Sequence, residues 1–463
     1  MSALELARTQ FGITTLFHFI FVPLSIGTAF FVAVCQTMHY RTGKEVYGRQ
    51  VTFWGKLMLV SFAVGVVTGI IQEFQFGMNW STYSRFVGDV FGAPLAMEGL
   101  AAFFVESTFV GLWIFGKGRL SPRVHLATIW AVALATMLSA YFIIAANSWM
   151  QHPVGSRVDA SGQARLTSIW DVLFQSTAVW SFIHVIAAAW ITGTVVVIAV
   201  SASHLRRGHE TGVFTAAVRI ALPILVVGVL LAFVAGDRLG GILIEQQPMK
   251  MAAAEALLDT EQPAAFSLFA TGPLTCTPET KNRELKIPHL LSVLATHSWS
   301  GGVTGVHQAQ QAAIARYGPG NYTPCVPVIY WSFRVMVYGF GLLLGLAALL
   351  GWLLVRGRMA DSPRLLRIVA WAWPLPFLIN SGGWVMTEMG RQPWIVQGLL
   401  KTNGAQSPSV STLEVWISLL GYTAVYAVLG GIAFWVIRRE TREGLEHEGA
   451  PSEPGDADLS LAY

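Results

Sequence analysis

The chain has 463 residues, of which 54% are hydrophobic and only 12% are charged, whereas soluble globular chains are roughly 25% charged. Its mean hydropathy is +0.54. These values exclude a disordered chain, a collagen and a coiled coil, and three cysteines are too few for a disulfide scaffold or an all-cysteine iron–sulfur cluster. The net charge of +4 comes without a basic stripe carrying interleaved aromatics, so nucleic acid is not an expected partner. The composition predicts a polytopic membrane protein.

Nine apolar runs are long enough, at about 20 residues, to cross a hydrocarbon core roughly 30 Å thick. In chain order they cover residues 11–36, 52–73, 92–115, 124–148, 180–203, 216–236, 328–354, 368–388 and 413–437. Backbone polar groups cannot go unpaired in lipid, and the runs lack the period of two that is typical of a membrane β-strand. The sequence therefore predicts an all-α bundle of about nine transmembrane helices.

Basic residues in the short loops predict the orientation of these helices, because they are enriched on the cytoplasmic side. One side carries fifteen of them: Arg41, Lys44, Arg49, Lys117, Arg119, Arg123, Arg206, Arg207, Arg356, Arg358, Arg364, Arg367, Arg438, Arg439 and Arg442. The other side carries six: Arg8, Arg85, Arg157, Arg165, Arg391 and Lys401. We therefore expect the N-terminus outside and the C-terminus in the cytoplasm.

Four regions follow from these spans. Residues 1–236 contain helices one to six, and residues 328–440 contain helices seven to nine. Residues 237–327 are too long for a plain connection and predict a small extracytoplasmic substructure. Residues 441–463 are acidic, contain proline and glycine, and are typical of a disordered cytoplasmic tail.

Ionisable groups inside a membrane are costly, so each one is a candidate functional residue. At about 1.5 Å of rise per residue, one layer roughly 6–12 Å below the outer ends of the spans contains His18, Glu98, His184 and Met336. Arg334 lies beside this methionine, Glu388 and Arg391 lie at the outer end of span eight, and Glu106 is deeper, at about 21 Å. Five helices thus supply polar or sulfur groups to one layer.

Each of these residues also has an ordinary structural interpretation. A lone membrane histidine can bond to a neighbouring helix, a methionine can fill a core, a glutamate can be a protonated acid, and an arginine can be a structural counter-ion. Their common depth favours haem, because histidine with methionine is a low-spin axial pair and an open position admits oxygen. No His-x-x-x-His, Cys-x-x-Cys or Cys-x-x-Cys-His spacing and no nucleotide-binding glycine motif occurs.

Five short motifs then occur in order along the chain: Glu73–Trp80 (EFQFGMNW), Gly92–Gly99 (GAPLAMEG), Gln247–Glu255 (QPMKMAAAE), Phe333–Met336 (FRVM) and Gly390–Trp394 (GRQPW). Together they resemble subunit I of the cytochrome bd quinol oxidases, and the resemblance runs from about residue 4 to residue 440. The short stretch after the third motif resembles the class with a short quinol-binding loop. The stretch 260–325 is the least similar part.

The resemblance implies a role for each matching residue. His184 and Met336 would be the axial ligands of a low-spin haem b, and Arg334 would stabilise its reduced state. His18 and Glu388 would each ligate one haem of an oxygen-reducing pair, with the position of haem d left open. Glu98 would lie at that pair as a ligand or proton donor, and Trp384 would assist electron transfer there. Glu106, Ser107 and Ser139 would form a cytoplasmic proton path, and Lys250 and Glu255 would bind and oxidise quinol. Arg391 would be a catalytic residue together with Glu98, Trp384 and the residues of the proton path.

The resemblance further implies two haems b, one haem d and a membrane quinol as substrate. It implies that the protein lies in the bacterial cytoplasmic membrane. Its partners would be a second membrane subunit, small single-span subunits, lipid and dioxygen. Quinol would release its protons outside and water formation would take protons from inside, so a proton gradient would form without pumping.

Two other functions and one covalent bond remain to be weighed. A proton-coupled transporter would use Glu98, Glu106 and Arg334 as a relay, although no internal repeat supports it. A di-haem cytochrome without oxygen chemistry would need paired histidines on each of two helices, which the chain lacks. Cys276 and Cys325 both lie in the predicted outer segment, where the surroundings are oxidising, so we hypothesise a disulfide between them; the alternative is two free thiols.

Overall fold

The computed structural model describes residues 1–271, 276, 283–357 and 362–445. Its α-helices in chain order are α1 (Ala3–Thr42), α2 (Glu45–Met78), α3 (Ser81–Met97), α4 (Phe104–Phe115), α5 (Pro122–Gln151), α6 (Ile169–Phe174), α7 (Ser176–Arg207), α8 (Thr211–Gln246), α9 (Pro248–Ala254), α10 (Leu290–Thr296), α11 (Val306–Tyr317), α12 (Val326–Val355), α13 (Pro363–Ala370), α14 (Leu375–Met389) and α15 (Thr412–Glu443). A π-helix over Glu98–Phe103 joins α3 to α4, and a short 3₁₀ turn covers Thr402–Gly404.

Three antiparallel two-stranded hairpins complete the described part of the chain. They pair β1 (Ser156–Val158) with β2 (Ala164–Leu166), β3 (Phe266–Thr271) with β4 (Arg283–Ile287), and β5 (Trp394–Val396) with β6 (Leu400–Lys401). All three lie between helices at the end of the bundle where α5, α8 and α14 end and α7, α12 and α15 begin. We call this end the loop side, and the prediction makes it the extracytoplasmic one.

The predicted all-α membrane bundle is confirmed. In the described ranges, eight helical segments are long and apolar enough to cross a membrane: α1, α2, the continuous segment Ser81–Phe115, α5, α7, α8, α12 and α15. Each contains one of the predicted spans. The ninth predicted span, 368–388, is not one helix, because α13 ends at Ala370 and α14, with 15 residues, begins only at Leu375. Pro374 has no amide hydrogen and disfavours helical backbone at the residue before it, which explains the break.

Two predicted region boundaries differ from the structure. Helix α8 continues ten residues past 236, to Gln246, because its polar end is held by loop-side partners. Asp237 accepts a hydrogen bond from His297 at 3.0 Å, and the Arg238 guanidinium lies 6.0 Å from the centre of the Trp180 ring. The predicted tail begins inside α15, which runs to Glu443, and residues 446–463 of that tail lie outside the described residues.

Helix α3 changes to a π-helix shortly after a proline. Pro94 removes one backbone donor from the helix, and the wider turn begins four residues later at Glu98. Single wide turns of this kind are frequent at functional sites, since they turn side chains away from the α-helical register. The apolar run predicted at 92–115 therefore crosses as one segment but does not keep α-helical spacing between Glu98 and Glu106.

Helices α1 and α7 cross through a contact between two glycines. A Cβ placed on Gly27 would lie 2.1 Å from the carbonyl oxygen of Ala189, and one on Gly193 would lie 2.5 Å from the Gly27 carbonyl carbon. Small residues allow such close backbone approach between membrane helices. The crossing fixes the relative positions of the helices that carry His18 and His184.

We expect Gly27→Ala to force α1 and α7 apart and to lower the stability of the complex by about 1–3 kcal/mol, the usual cost of overpacking. Thermal unfolding of the purified complex measures the effect. Gly12→Ala is the matched control, because it lies on the same helix and a Cβ there has nothing within 4 Å. Equal unfolding midpoints for the two variants would contradict the prediction.

The described parts of residues 247–325 form a loop-side substructure that packs on the bundle. Helix α9 lies against α12 through a buried cluster that includes Ala253, Ile329 and Tyr330. The hairpin β3–β4 adds a second apolar cluster through Phe266, beside Leu291 of α10. A disulfide joins Cys276 to Cys325, the residue that precedes α12, which confirms the predicted bond.

Candidate functional site

One large cavity runs through the loop-side half of the bundle. Its volume is about 1900 Å³, which exceeds the roughly 300–1,000 Å³ typical of a site for one small ligand. Of the residues selected from the sequence, the cavity is lined by His18, Glu98, Glu106, Ser139, His184, Lys250, Glu255, Met336, Trp384, Glu388 and Arg391. Contributions from α1, the π-helix, α5, α7, α9, α12 and α14 thus meet around a single space.

The two candidate histidine ligands are oriented alike. The Nδ1 atom of His184 lies 3.2 Å from the Ala232 carbonyl oxygen and donates to it. The Nδ1 atom of His18 lies 2.9 Å from the hydroxyl of Thr68, and that hydroxyl already donates to the Val64 carbonyl, so it accepts from the ring. Each ring therefore keeps a lone pair on Nε2, the arrangement that metal-ligating histidines show.

A glycine on a neighbouring helix faces each histidine and the methionine. A Cβ on Gly69 of α2 would lie 3.1 Å from His18, and one on Gly236 of α8 would lie 3.5 Å from His184. A Cβ on Gly383 of α14 would lie 3.2 Å from the sulfur of Met336. Side chains larger than glycine at these positions would fill space beside the candidate ligands, and their absence suits a broad, flat group.

Glu98 and Ser139 are brought together, whereas Ser107 is not placed with them. The Ser139 hydroxyl donates to a Glu98 carboxylate oxygen at 2.7 Å across α5 and the π-helix. Glu106 is buried one turn into α4 and lines the deep end of the cavity. Ser107 is exposed on the outside of α4 and donates to the Phe103 carbonyl of its own helix. The wide turn aims Glu106 inward and leaves Ser107 on the outer face.

Glu388 is held by a partner on each carboxylate oxygen. The side-chain amide of Asn147 donates to one oxygen at 2.8 Å, and the Arg391 guanidinium donates to the other. Arg391 is almost fully buried, and its Nε and Nη1 groups have no partner among the described residues. Buried donors without a partner are costly, so this arginine is suited to an additional anionic group in the cavity.

These donors fit haem better than a bare metal ion. Among the described residues no group of three or more histidine, cysteine, aspartate or glutamate side chains can enclose a metal. Haem iron already has its ring ligands and needs only one or two axial groups from the protein. The single histidines, the methionine and the carboxylates around one apolar cavity meet that requirement, and Arg391 can pair a propionate.

Lys250 and Glu255 lie on the same short segment but face different partners. Lys250 is buried beside Arg391, and its ammonium donates to the Gln151 side chain at 2.5 Å. Burial, with the nearby Arg391 charge, lowers the pKa of Lys250 to about 7. Burial raises the pKa of Glu255 to about 7, and the attraction of Arg334 opposes this shift. Both groups therefore change protonation near neutral pH.

Arg334 forms a buried ion pair that the sequence did not predict. Its Nη2 lies 2.6 Å from Glu255, and both side chains are 1–2% exposed. The guanidinium also lies 4.5 Å from the ring centres of Phe266 and Tyr330. Arg334 does not line the cavity itself, so the pair connects the loop-side substructure to α12 two residues before Met336.

Three further polar residues reach the site without having been selected from the sequence. Gln151 and Asn147 lie one turn apart at the end of α5, and Glu73 of α2 lines the cavity. Asn147 and Gln151 are four residues apart at the end of an apolar helix, and this spacing on one face was the available signal. Glu73 was part of a motif but had received no role.

The bundle, the cavity and its donors define a polytopic membrane protein with a large buried site whose side chains are suited to haem. A family model described as cytochrome bd terminal oxidase subunit I matches residues 6–445. Cytochrome bd ubiquinol oxidase subunit 1 of Bacillus subtilis (strain 168) is 44% identical over 461 residues, covering 99% of this chain and 97% of that protein. Cytochrome bd-II ubiquinol oxidase subunit 1 of Escherichia coli (strain K12) is 35% identical, covering 95% and 96%.

The structure of the bd oxidase from Geobacillus thermodenitrificans superposes with a TM-score of 0.86 at 27% identity, covering 96% of this chain and 99% of that one. The chain belongs to the cytochrome bd terminal oxidase subunit I family. It is accordingly an oxidoreductase subunit of a bacterial membrane complex. The alternative of a proton-coupled transporter has no support from these relatives.

Proposed function

We propose that this chain is the haem-bearing catalytic subunit that oxidises membrane quinol at the outer face and reduces dioxygen to water. The observation that carries the proposal is the single cavity in which His18, His184, Met336 and Glu388 meet, with a glycine facing both histidines and the methionine. The cavity would hold two haems b and one haem d. Bound haem supplies one-electron transfer and a site for dioxygen.

The position of each cavity residue determines the role that we propose for it. His184 of α7 and Met336 of α12 hold the low-spin haem, and His18 and Glu388 hold one haem each of the oxygen-reducing pair. Trp384, one turn before Glu388 on α14, also lines the cavity, and it would lie beside that pair. Arg334 carries a buried positive charge that Glu255 partly balances, and this charge would favour the reduced form of the haem held by His184 and Met336.

Quinol oxidation belongs to the segment with Lys250 and Glu255. A buried carboxylate whose pKa is near neutral is a suitable base for a quinol hydroxyl, since its proton affinity matches the working pH. Lys250 donates a hydrogen bond to the second quinol oxygen. Both residues belong to the loop side, so the protons leave on that side.

Protons for water formation enter from the opposite side. Glu106 receives them at the deep end of the cavity, and Ser139 and Glu98 pass them to the oxygen-reducing pair through the 2.7 Å hydrogen bond. Ser107 is left out of this path, because its hydroxyl is bonded to its own helix on the outer face. Release on one side and uptake on the other separates charge without a pump.

A subunit II completes the complex, and small single-span subunits are further partners. With the loop side outside, the N-terminus is extracytoplasmic and the C-terminus is cytoplasmic.

A reduced-minus-oxidised visible spectrum of the purified complex tests the proposal. We expect a far-red chlorin band beside haem b bands. Haem b alone would contradict the roles given to His18 and Glu388. A folded complex without haem would contradict the whole proposal.

A further inference from the structure

A continuous line of hydrogen bonds joins the quinol segment to the candidate haem ligand Glu388. Lys250 Nζ donates to Gln151 Oε1 at 2.5 Å, and Gln151 Nε2 donates to Asn147 Oδ1 at 3.4 Å. Asn147 Nδ2 then donates to Glu388 Oε1 at 2.8 Å. We propose that Gln151 is a positioning residue that links quinol binding at Lys250 to the placement of Glu388 at the oxygen-reducing site.

Gln151 is held firmly in this position. It ends α5, its side chain is 5% exposed, and Gln247 at the start of α9 donates to its backbone carbonyl at 2.6 Å and to its side-chain oxygen at 3.1 Å. Water cannot readily replace bonds at this depth, so a change in one partner is felt by the next.

Each hydrogen bond in this line has a fixed direction, which sets the orientation of both amide side chains. An amide side chain accepts at its oxygen and donates at its nitrogen. Because Lys250 requires the oxygen of Gln151, the nitrogen of Gln151 is turned to Asn147, and this turns the nitrogen of Asn147 to Glu388. Two amides are thus aligned head to tail between a basic group and an acidic one, and reversing either amide breaks a bond at each of its ends.

The consequence is a dependence between the Lys250 and Glu388 sites that adds to the electrostatic effect of Arg391, which lies beside Lys250 and bonds to Glu388. The Lys250 ammonium has three N–H donors, and because Gln151 accepts one of them, it fixes the direction in which the other two are offered to a quinol oxygen. A shift of Lys250 on quinol binding therefore moves Gln151 and Asn147, and it changes how Asn147 holds one oxygen of Glu388, whose other oxygen is held by Arg391. This inference rests on the proposed function and adds to it a coupling between its two halves.

The simpler alternative is that Gln151 only docks α9 on α5. Gln247→Leu is the control for docking, because Gln247 bonds to Gln151 from the start of α9 but is not itself a link between Lys250 and Glu388. Asn147→Leu is the matched variant for the line, because Asn147 bonds to Gln151 and Glu388 and, among the described residues, makes no hydrogen bond to α9.

The test measures the quinol KM and the visible absorption of the reduced complex in each variant. We expect Gln151→Leu to raise the quinol KM about tenfold, the order of effect of one lost bond to a charged group, and to shift the absorption of the oxygen-site haems. Asn147→Leu should shift the same absorption and also raise the quinol KM. Gln247→Leu should leave the absorption as in the wild type.

Gln151→Glu keeps the acceptor for Lys250 but turns a second oxygen toward Asn147, so it should shift the absorption while α9 stays docked. An unchanged quinol KM in Asn147→Leu, or the same absorption shift in Gln247→Leu as in Gln151→Leu, overturns the link alone. A wild-type complex without haem absorption overturns both the link and the proposed function.

Discussion

Replacing Met336 with leucine is expected to convert the low-spin haem to a high-spin form. Leucine has a similar volume and no sulfur, so the helix packing is kept while the sulfur that would ligate the haem together with His184 is lost. Turnover with quinol should fall by at least the roughly 10–100-fold that loss of an outer-shell partner of a metal ligand costs. The absorption and electron paramagnetic resonance spectra of the oxidised complex measure the change of spin state.

The matched control for this prediction is Met58→Leu. Met58 is buried in the large core cluster between α1 and α2 and does not line the cavity. It should leave both spectra unchanged. A low-spin signal that survives in Met336→Leu would show that another residue holds the second axial position, and His184 alone would remain of the proposed pair.

The spans were predictable because lipid imposes a simple rule on composition. Eight of the apolar runs each lie within one long helix, since every backbone group in lipid must be paired inside the segment. The run 368–388 was wrong because apolar composition does not register that Pro374 interrupts the helix. The end of α8 was wrong for the opposite reason, because Asp237 and Arg238 look like a boundary but are held by His297 and Trp180.

That the candidate ligands line one cavity agrees with the heights expected from their positions, since α-helical rise converts sequence position into height. The face of the helix on which each residue lies was harder to predict. The wide turn after Pro94 changes the faces on which Glu98 and Glu106 lie, and it leaves Ser107 on the exposed side. The role of Ser107 in a proton path came from the resemblance to the family, which does not give the face of the helix on which the residue lies.

Contacts between segments that are far apart in the chain could not be predicted from the sequence. Arg334 and Glu255 are 79 residues apart, and each had a separate role until the fold placed them at 2.6 Å. The line from Lys250 to Glu388 has the same origin, because only the docking of α9 on the end of α5 brings Gln151 to Lys250. A single sequence gives the chemistry of each group but not its partner.

The Arg334–Glu255 pair leads to the second large expected effect. Glu255→Gln should lower kcat/KM for quinol by about 10²–10⁴-fold, the range that a positioned general base contributes. Glutamine keeps the shape and one acceptor for Arg334, so haem incorporation should persist. Oxygen reduction driven by an artificial electron donor should stay close to the wild-type rate, because that route does not use the quinol segment.

The pH dependence gives the same prediction an independent measurement. A base acts only when deprotonated, and burial raises the pKa of Glu255 to about 7. The wild-type kcat/KM for quinol should therefore rise with pH, about tenfold per unit below 7, and stop rising above it, where Lys250 also loses its proton. Glu255→Gln should remove this rise, because the amide does not titrate.

Glu261→Gln is the matched control for both measurements. Glu261 lies six residues further along the same loop-side substructure and pairs with Lys286 at 2.8 Å, but it is one-third exposed. Exposed pairs contribute about 0–1 kcal/mol, whereas removing one partner of a buried pair costs roughly 3–5 kcal/mol. Equal loss of quinol oxidation and of donor-driven oxygen reduction in Glu255→Gln would mean that Glu255 acts by holding Arg334 and α12 in place, and the base would have to be sought elsewhere in the cavity.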